Sequence, residues 1–159
     1  MALLEKLCLR AAEKKDLPHI IRLLEEDELG ATREYFSTPL LQEYYEAFQA
    51  IVEDKNQSLL VVTLTDCLIA TCHLTYMPSL SFQGAWRLNL ENIHVNKKFQ
   101  KQGVGTWMLQ QAIQLGKDRN CTIIQLTTNK KRVRAKSFYE KLGFIASHEG
   151  MKLYLGQHS

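Results

Sequence analysis

The sequence predicts an α/β (α+β) fold: a mixed, mostly antiparallel central sheet flanked by helices. Three observations carry this. The apolar runs SLLVVTL and CLIATCHLTY are joined by Thr65 and Asp66, a tight-turn pair, and read as a hairpin. The long strand AWRLNLENIHV passes through a glycine turn into a helix and then into the strand CTIIQLTT, a strand–helix–strand unit. Apolar residues at helical spacing fill the segments between and before them. Together they give the order β-α-α-β-β-β-α-β-α-β-β, a sheet with both kinds of pairing covered by helices.

Taken in order, LCLRA opens with a short strand. A helix follows from about Asp16, which is suited to N-cap it. Leu17, Ile20, Ile21 and Leu24 fall at i, i+3, i+4 and i+7 and make one apolar face. GATREYFS reads as a loop. Thr38 and Pro39 then suit the N-cap and first position of a second helix, with Leu41, Tyr44, Tyr45, Phe48 and Val52 on its buried face. The hairpin comes next, and MPSLSFQG is a loop punctuated by Pro78 and Gly84. A helix spans about 103–118, with Leu109, Ala112, Ile113 and Gly116 on one face. VRAKSFYEKLG is a last helix, with Ala135, Phe138 and Leu142 inward and Gly143 as its stop. FIAS and MKLYL are expected to close the sheet.

Length and composition bound the function. At 159 residues the chain is the size of one domain, large enough for a core without disulfides or metal. It is 45% hydrophobic and 23% charged, which excludes a disordered or fibrous class. No apolar run approaches the roughly 20 residues of a membrane span, and the N-terminal stretch lacks the pattern of a signal peptide. Cys8, Cys67, Cys72 and Cys121 are scattered without a zinc-type spacing, so no metal is expected. Reduced thiols in a cytoplasmic protein are the simplest reading. The net charge of +3 permits an anionic ligand. Few aromatics interleave with the basic run NKKRVR, so no nucleic-acid partner is expected, nor a membrane.

FQKQGVGTWM is where chemistry first shows. The first N–H groups of a helix lack intrahelical partners, and the helix dipole is positive there. Gly103 and Gly105 let an anion approach those groups, and Lys101 adds charge at the rim. This is not a Walker loop, since GK[ST] is absent. It is not the dinucleotide fingerprint either, since Met108 holds the third glycine position. The alternative is a plain strand-to-helix turn.

QKQGVG followed by AKSFYEKLGF resembles the GNAT superfamily of acyl-CoA-dependent N-acyltransferases. The matching residues are Gln100, Gly103 and Gly105, then Ala135, Phe138, Tyr139, Glu140, Gly143 and Phe144. The opening LRAAEKKDLPHIIRLL also looks like the family's first strand and helix, so the resemblance covers nearly the whole chain. EEDELGATRE, LTYMPSLSFQG, LENIHV and SHEGMKLYL look like segments of a subgroup of small bacterial members. The tail is more weakly similar to aminoalkylphosphonate acetyltransferases. Three positions depart from the pattern. Lys97 stands where proline often follows the strand, Gln100 replaces the commoner arginine, and Arg132 stands where asparagine is frequent, with Asn129 just upstream.

The resemblance implies a GNAT fold, acetyl-CoA as donor, and a single domain over 1–159. It implies that Gln100, Lys101, Gln102, Gly103, Val104, Gly105 and Thr106 hold the CoA pyrophosphate. Ile93, His94 and Val95 would line its arm on one side, and Asn129, Arg132, Ala135, Phe138 and Tyr139 on the other. In the family this strand splays from the next, a backbone N–H near Val95 meets the thioester carbonyl, and the tyrosine at 139 protonates the leaving thiolate. Basic residues of NKKRVR would suit the 3′-phosphate.

Strand alternation puts Arg87, Asn89, Glu91, Ile93 and Val95 on one face and Leu88, Leu90, Asn92 and His94 on the other. Glu91 is a candidate general base, since an ammonium must lose a proton before its nitrogen attacks. Its bland reading is a solvent-facing carboxylate or a partner of Arg87; Asn89 and His94 are rivals. Glu26, Asp27, Glu28 and Glu34 suit a cationic acceptor, Arg33 an anionic one, and His148 is a further candidate. No Cys–His pair marks a covalent nucleophile, so direct transfer is expected. The expected function is transfer of an acetyl group to a primary amine of a small molecule. The alternatives are a non-catalytic acyl-CoA-binding or protein-interaction module, and an enzyme acetylating a protein lysine or N-terminus. A homodimer is left open.

Overall fold

The structure, a computed structural model, describes residues 3–27 and 29–156. Its five strands are β1 (Leu7–Ala11), β2 (Gln57–Leu64), β3 (Cys67–Pro78), β4 (Trp86–Val95) and β5 (Cys121–Leu126), and they form one sheet in chain order. Every pair is antiparallel except β4–β5, which is parallel, so the sheet is mixed as expected. The helices are α1 (Leu17–Glu25), α2 (Gln42–Glu53), the one-turn α3 (Ser81–Gly84), α4 (Val104–Asp118) and α5 (Val133–Lys141). None is long and apolar enough to cross a membrane.

Two cores lie on opposite faces of the sheet. On one, α4 buries Val104, Met108, Leu109 and Ala112 against Val62, Ala70, Cys72, Leu74, Leu88 and Leu90. Gly116 lets this helix settle close, because a Cβ there would come within 2.9 Å of the Leu88 side chain. On the other face, α1 buries Leu17, Ile20 and Ile21 with Leu40, Phe48 and Val61. Each such aliphatic side chain contributes about 1.5–3 kcal/mol on full burial. The β1–α1 corner is fixed by charge. Arg10 donates to both Asp16 oxygens at 2.7 and 3.0 Å, and the Glu13 N–H donates to Asp16 Oδ2 at 2.8 Å. The Asp16 carboxylate thus serves the corner rather than the N-cap expected of it.

Four further expectations are corrected. The second helix starts at Gln42, not Pro39, because Leu40 is drawn into the α1 core and the chain stays non-helical until it is placed. Of its expected buried face only Phe48 is buried; Leu41 and Val52 are exposed. The phase of β4 also changes. His73 pairs with Glu91 and Thr71 with His94, so β4 carries one extra residue at Asn92, which sits at φ 49°. This bulge turns Ile93 and Val95 to the α4 side, where both pack against the core. Finally, FIAS and MKLYL form no strands. Phe144 is held by the end of α5, its N–H donating to Tyr139 O at 3.1 Å, and Met151, Leu153 and Leu155 are 93%, 85% and 94% exposed. Alternation alone does not make a strand; it needs an edge to pair with.

Candidate active site

The site is built where β4 and β5 part. Their ladder ends at Leu90 and Leu126, so residues 91–95 have no strand on the β5 side among the described residues. The Asn96 N–H is spent on Ile69 O at 2.8 Å. Adjacent residues of a strand point their N–H groups in opposite directions, so the Val95 N–H faces the opened side.

The glycine turn follows directly. Lys101 and Gly103 lie at φ 59° and 86°, and Gly103 is the N-cap of α4, a conformation glycine adopts without strain. The first intrahelical bond runs from Trp107 N to Gly103 O at 2.9 Å, which leaves the N–H groups of Val104, Gly105 and Thr106 free of helix partners. Gly105 serves a different purpose. A Cβ there would meet the Phe138 ring at 3.4 Å and Val95 at 3.6 Å, so its smallness lets β4 and α5 pack close on either side of it. Gln100 and Gln102 brace the turn by donating to Val95 O at 2.9 Å and Lys98 O at 2.7 Å. Beside it lies a cavity of about 530 Å³ lined by Asp27, Gln100, Lys131, Arg132, Val133, Arg134 and Ala135. Unpartnered helix N–H groups, a left-handed turn and three basic residues fit the phosphates of an acyl-CoA.

On α5, Phe138 and Tyr139 stand on the apolar side of the sheet, with Tyr139 edge-on to Phe144 at 5.9 Å. Burial pushes the Tyr139 phenol up to about 12, Cys72 adding to the rise and Arg132 opposing it. The hydroxyl therefore keeps its proton at neutral pH. Two expected contacts are otherwise engaged. Asn129 Oδ1 accepts from Lys131 N at 2.9 Å, and Arg132 Nη2 pairs with Asp27 Oδ2.

Beyond the α1–α2 core, the other sheet face is polar. Glu91 lies beside buried His73, with Asn89 and Gln125 further along the face. His73 Nε2 donates to Gln57 Oε1 at 2.8 Å, and burial holds its imidazole below the usual value against the pull of Glu91. His94, brought to this side by the bulge, is also lowered by burial and Arg33, with Glu34 and Glu26 opposing. Arg87 does not pair with Glu91; its guanidinium lies 5.7 Å from the Phe82 ring centroid.

The loop after α1 arches over this end. Glu26 accepts from Asn96 Nδ2 at 3.3 Å and Lys97 N at 3.4 Å, Asp27 holds Arg132, and Glu34 accepts from the Tyr44 hydroxyl at 3.0 Å. Three of the acidic residues expected to attract an amine are thus already engaged, and Glu28 lies outside the described residues. His148 is tied to Ser147 Oγ at 2.8 Å, on the exposed tail. Sequence reading missed His73, Gln57 and the Asp27–Arg132 pair. The alternation of CHLTY puts His73 with Thr71 and Thr75, but only the β3–β4 register sets it beside Glu91. Among the described residues no group of three or more His, Cys, Asp or Glu could hold a metal ion.

A sheet parted over a helix N-terminus, with a protonated tyrosine on the adjacent helix, has the parts to receive a phosphate-bearing ligand. Residues 20–144 match the model of the acetyltransferase (GNAT) family. The chain belongs to that family and is an acetyltransferase. Among solved structures, a protein from Bacillus halodurans C-125 described as a transcriptional regulator aligns with a TM-score of 0.92 at 38% identity, over 94% of this chain and 99% of that one. A glucosamine-6-phosphate N-acetyltransferase from Arabidopsis thaliana has a TM-score of 0.76 at 19% identity over 94% and 99%. An acetyltransferase from Clostridium acetobutylicum, solved with acetyl-CoA, has 0.73 at 19% over 94% and 96%. These last two share the fold alone.

Proposed function

We propose that this chain is a single-domain N-acetyltransferase that moves the acetyl group of acetyl-CoA directly to a primary amine of a small molecule. The observation that supports the small-molecule reading is the tethered loop after α1. Glu26 and Asp27 fasten it to Asn96, Lys97 and Arg132, so the chain's own loop occupies the space beside the end of β4. When bound, acetyl-CoA supplies an acetyl group activated as a thioester.

The chain's own residues do the rest. The N–H groups of Gln102, Gly103, Val104, Gly105 and Thr106 hold the pyrophosphate, with Lys101 at the rim and Arg134 nearby. Ile93, Val95, Ala135 and Phe138 line the apolar arm. The Val95 N–H supports the negative charge that develops on the carbonyl oxygen. Glu91 takes the proton of the incoming ammonium, directly or through water, with the neutral His73 beside it. The Tyr139 hydroxyl gives its proton to the departing thiolate. Gln100 acts by holding the strand end to the turn rather than by touching the ligand, and Asn129 by shaping the 129–132 turn. The four free thiols are in keeping with a reducing, cytoplasmic setting.

The test is acetylation of a panel of small primary amines alongside lysine-containing peptides, read by mass spectrometry. Acetylated small amines support the reading. Acetylated peptides alone would replace it with protein acetylation. CoA binding with no acetylated product would replace it with a binding module.

A further inference from the structure

One cation of β4 has no anion to meet. Arg87, Asn89 and Glu91 precede the bulge at Asn92, so the three share the polar face while Leu88 and Leu90 enter the α4 core. Across the strands, Arg87 sits between Met77 and Ile123, and Asn89 between Thr75 and Gln125. Among the described residues no acidic side chain pairs with Arg87, and its Nε is buried without an acceptor. A half-buried permanent charge with an unspent donor is costly unless a ligand completes it. Arg119 shows the completed arrangement, stacking on Tyr76 at 4.1 Å and donating to Lys55 O at 3.1 Å. Arg87 has only the Phe82 ring, looser at 5.7 Å, and Phe82 is itself 73% exposed.

The position of this cation is as informative as its lack of a partner. Arg87 lies four residues before Glu91, roughly 13 Å along an extended strand. Its guanidinium stays by Phe82, at the start of β4, whereas Glu91 stands beside the point where β4 parts from β5. Only uncharged Asn89 comes between them on this face of the strand. Met77, Thr75, Ile123 and Gln125, the strand neighbours, carry no charge either. One cation without a second beside it matches a single negative charge, and the planar guanidinium fork matches a carboxylate. The apolar flanks of Met77 and Ile123 lower the local dielectric and strengthen such a pair.

We propose that Arg87 selects the acceptor by binding a carboxylate at the far end of the molecule whose amine reacts at Glu91. Allowing for the reach of the two side chains, the amine and the carboxylate are roughly 8–12 Å apart. This rests on the amine-acetylating reading above and narrows it to extended amino acids with the two groups at opposite ends. A short α-amino acid does not reach both residues, and an amine without the acid leaves Arg87 unpaired.

The test compares 8-aminooctanoate with 8-aminooctanamide, which share chain length and amine and differ in the charge of the far end. With the wild-type chain and acetyl-CoA, kcat/KM for the acid is expected to exceed that for the amide about 30-fold, the difference lying in KM. In Arg87→Gln the ratio is expected to fall to about threefold or less, and in Arg87→Lys to lie between the two. A binding readout is made on the wild type with CoA. The nitrogen-15 signal of the Arg87 Nε–H, identified by its absence from Arg87→Gln, is expected to shift with the acid and not with the amide. Equal kcat/KM for the two probes in the wild type, a preference for the acid that survives Arg87→Gln, or an Nε–H signal indifferent to the acid would each overturn the proposal. If neither probe is acetylated, the amine-acetylating reading falls, and the Nε–H signal alone decides whether Arg87 binds the carboxylate.

Discussion

At the scale of single residues, Tyr139 and Asp16 show how burial assigns a role. The Tyr139 phenol, raised to about 12 by burial, keeps its proton throughout the neutral range. Tyr139→Phe keeps the edge-on contact with Phe144 and removes only the hydroxyl, so kcat is expected to fall about 10²-fold while CoA affinity stays within about threefold. Wild-type turnover in that variant would remove the tyrosine from the proton path. Because this is an acid whose value is raised on folding, its stabilising contribution is complete below the ordinary phenol value of 10.0 and is lost as pH rises toward about 12. Asp16 behaves in the opposite sense. Arg10, through its bidentate hydrogen bond, holds the carboxyl below the usual 3.8, so the pair stabilises the fold above that value and is lost as pH falls below it. Asp16→Ala leaves the Arg10 guanidinium and the Glu13 N–H without this acceptor. Chemical denaturation at pH 7 should show a loss of about 2–3 kcal/mol, shrinking in acid.

At the scale of elements, the β4–α4 junction carries the site, and its two glycines differ. Gly103 is required by its left-handed φ, whereas Gly105 sits where the Phe138 ring and Val95 leave room for a methyl group and no more. Gly105→Ala fits the space and is expected to change stability by less than about 1 kcal/mol. Gly105→Leu overfills it, at about 1–3 kcal/mol, and pushes α5 from β4, so CoA affinity measured calorimetrically should fall more than tenfold. Unchanged affinity in the leucine variant would make the stretch a turn and nothing more. This junction was legible because its signals are local: a strand, glycine punctuation and a helical period within one continuous stretch. The bulge at Asn92 was not. It depends on how β4 registers against β3, which no window of β4 contains, and one extra residue reverses the face of every side chain after it. For the same reason Ile93 and Val95 were assigned to the wrong face and His73 was not placed beside Glu91. The tail failed differently, since FIAS and MKLYL alternate like strands but the pairing edge lies outside their own sequence.

At the scale of the molecule, the two sheet faces divide the work. In the proposed mechanism the apolar face with α4 and α5 supplies the phosphate cradle, the arm's channel and the proton donor. The polar face supplies Glu91 beside His73, under a loop fastened by Glu26 and Asp27. The gap between β4 and β5 joins them. The direct test of this division is amine-dependent thiol release from acetyl-CoA, followed continuously with the wild-type chain and with Glu91→Gln. Release that requires both enzyme and a small amine, and that falls about 10²-fold in the glutamine variant, is the expected result. Release that is indifferent to the amine, or unaltered by loss of the Glu91 carboxylate, would contradict it.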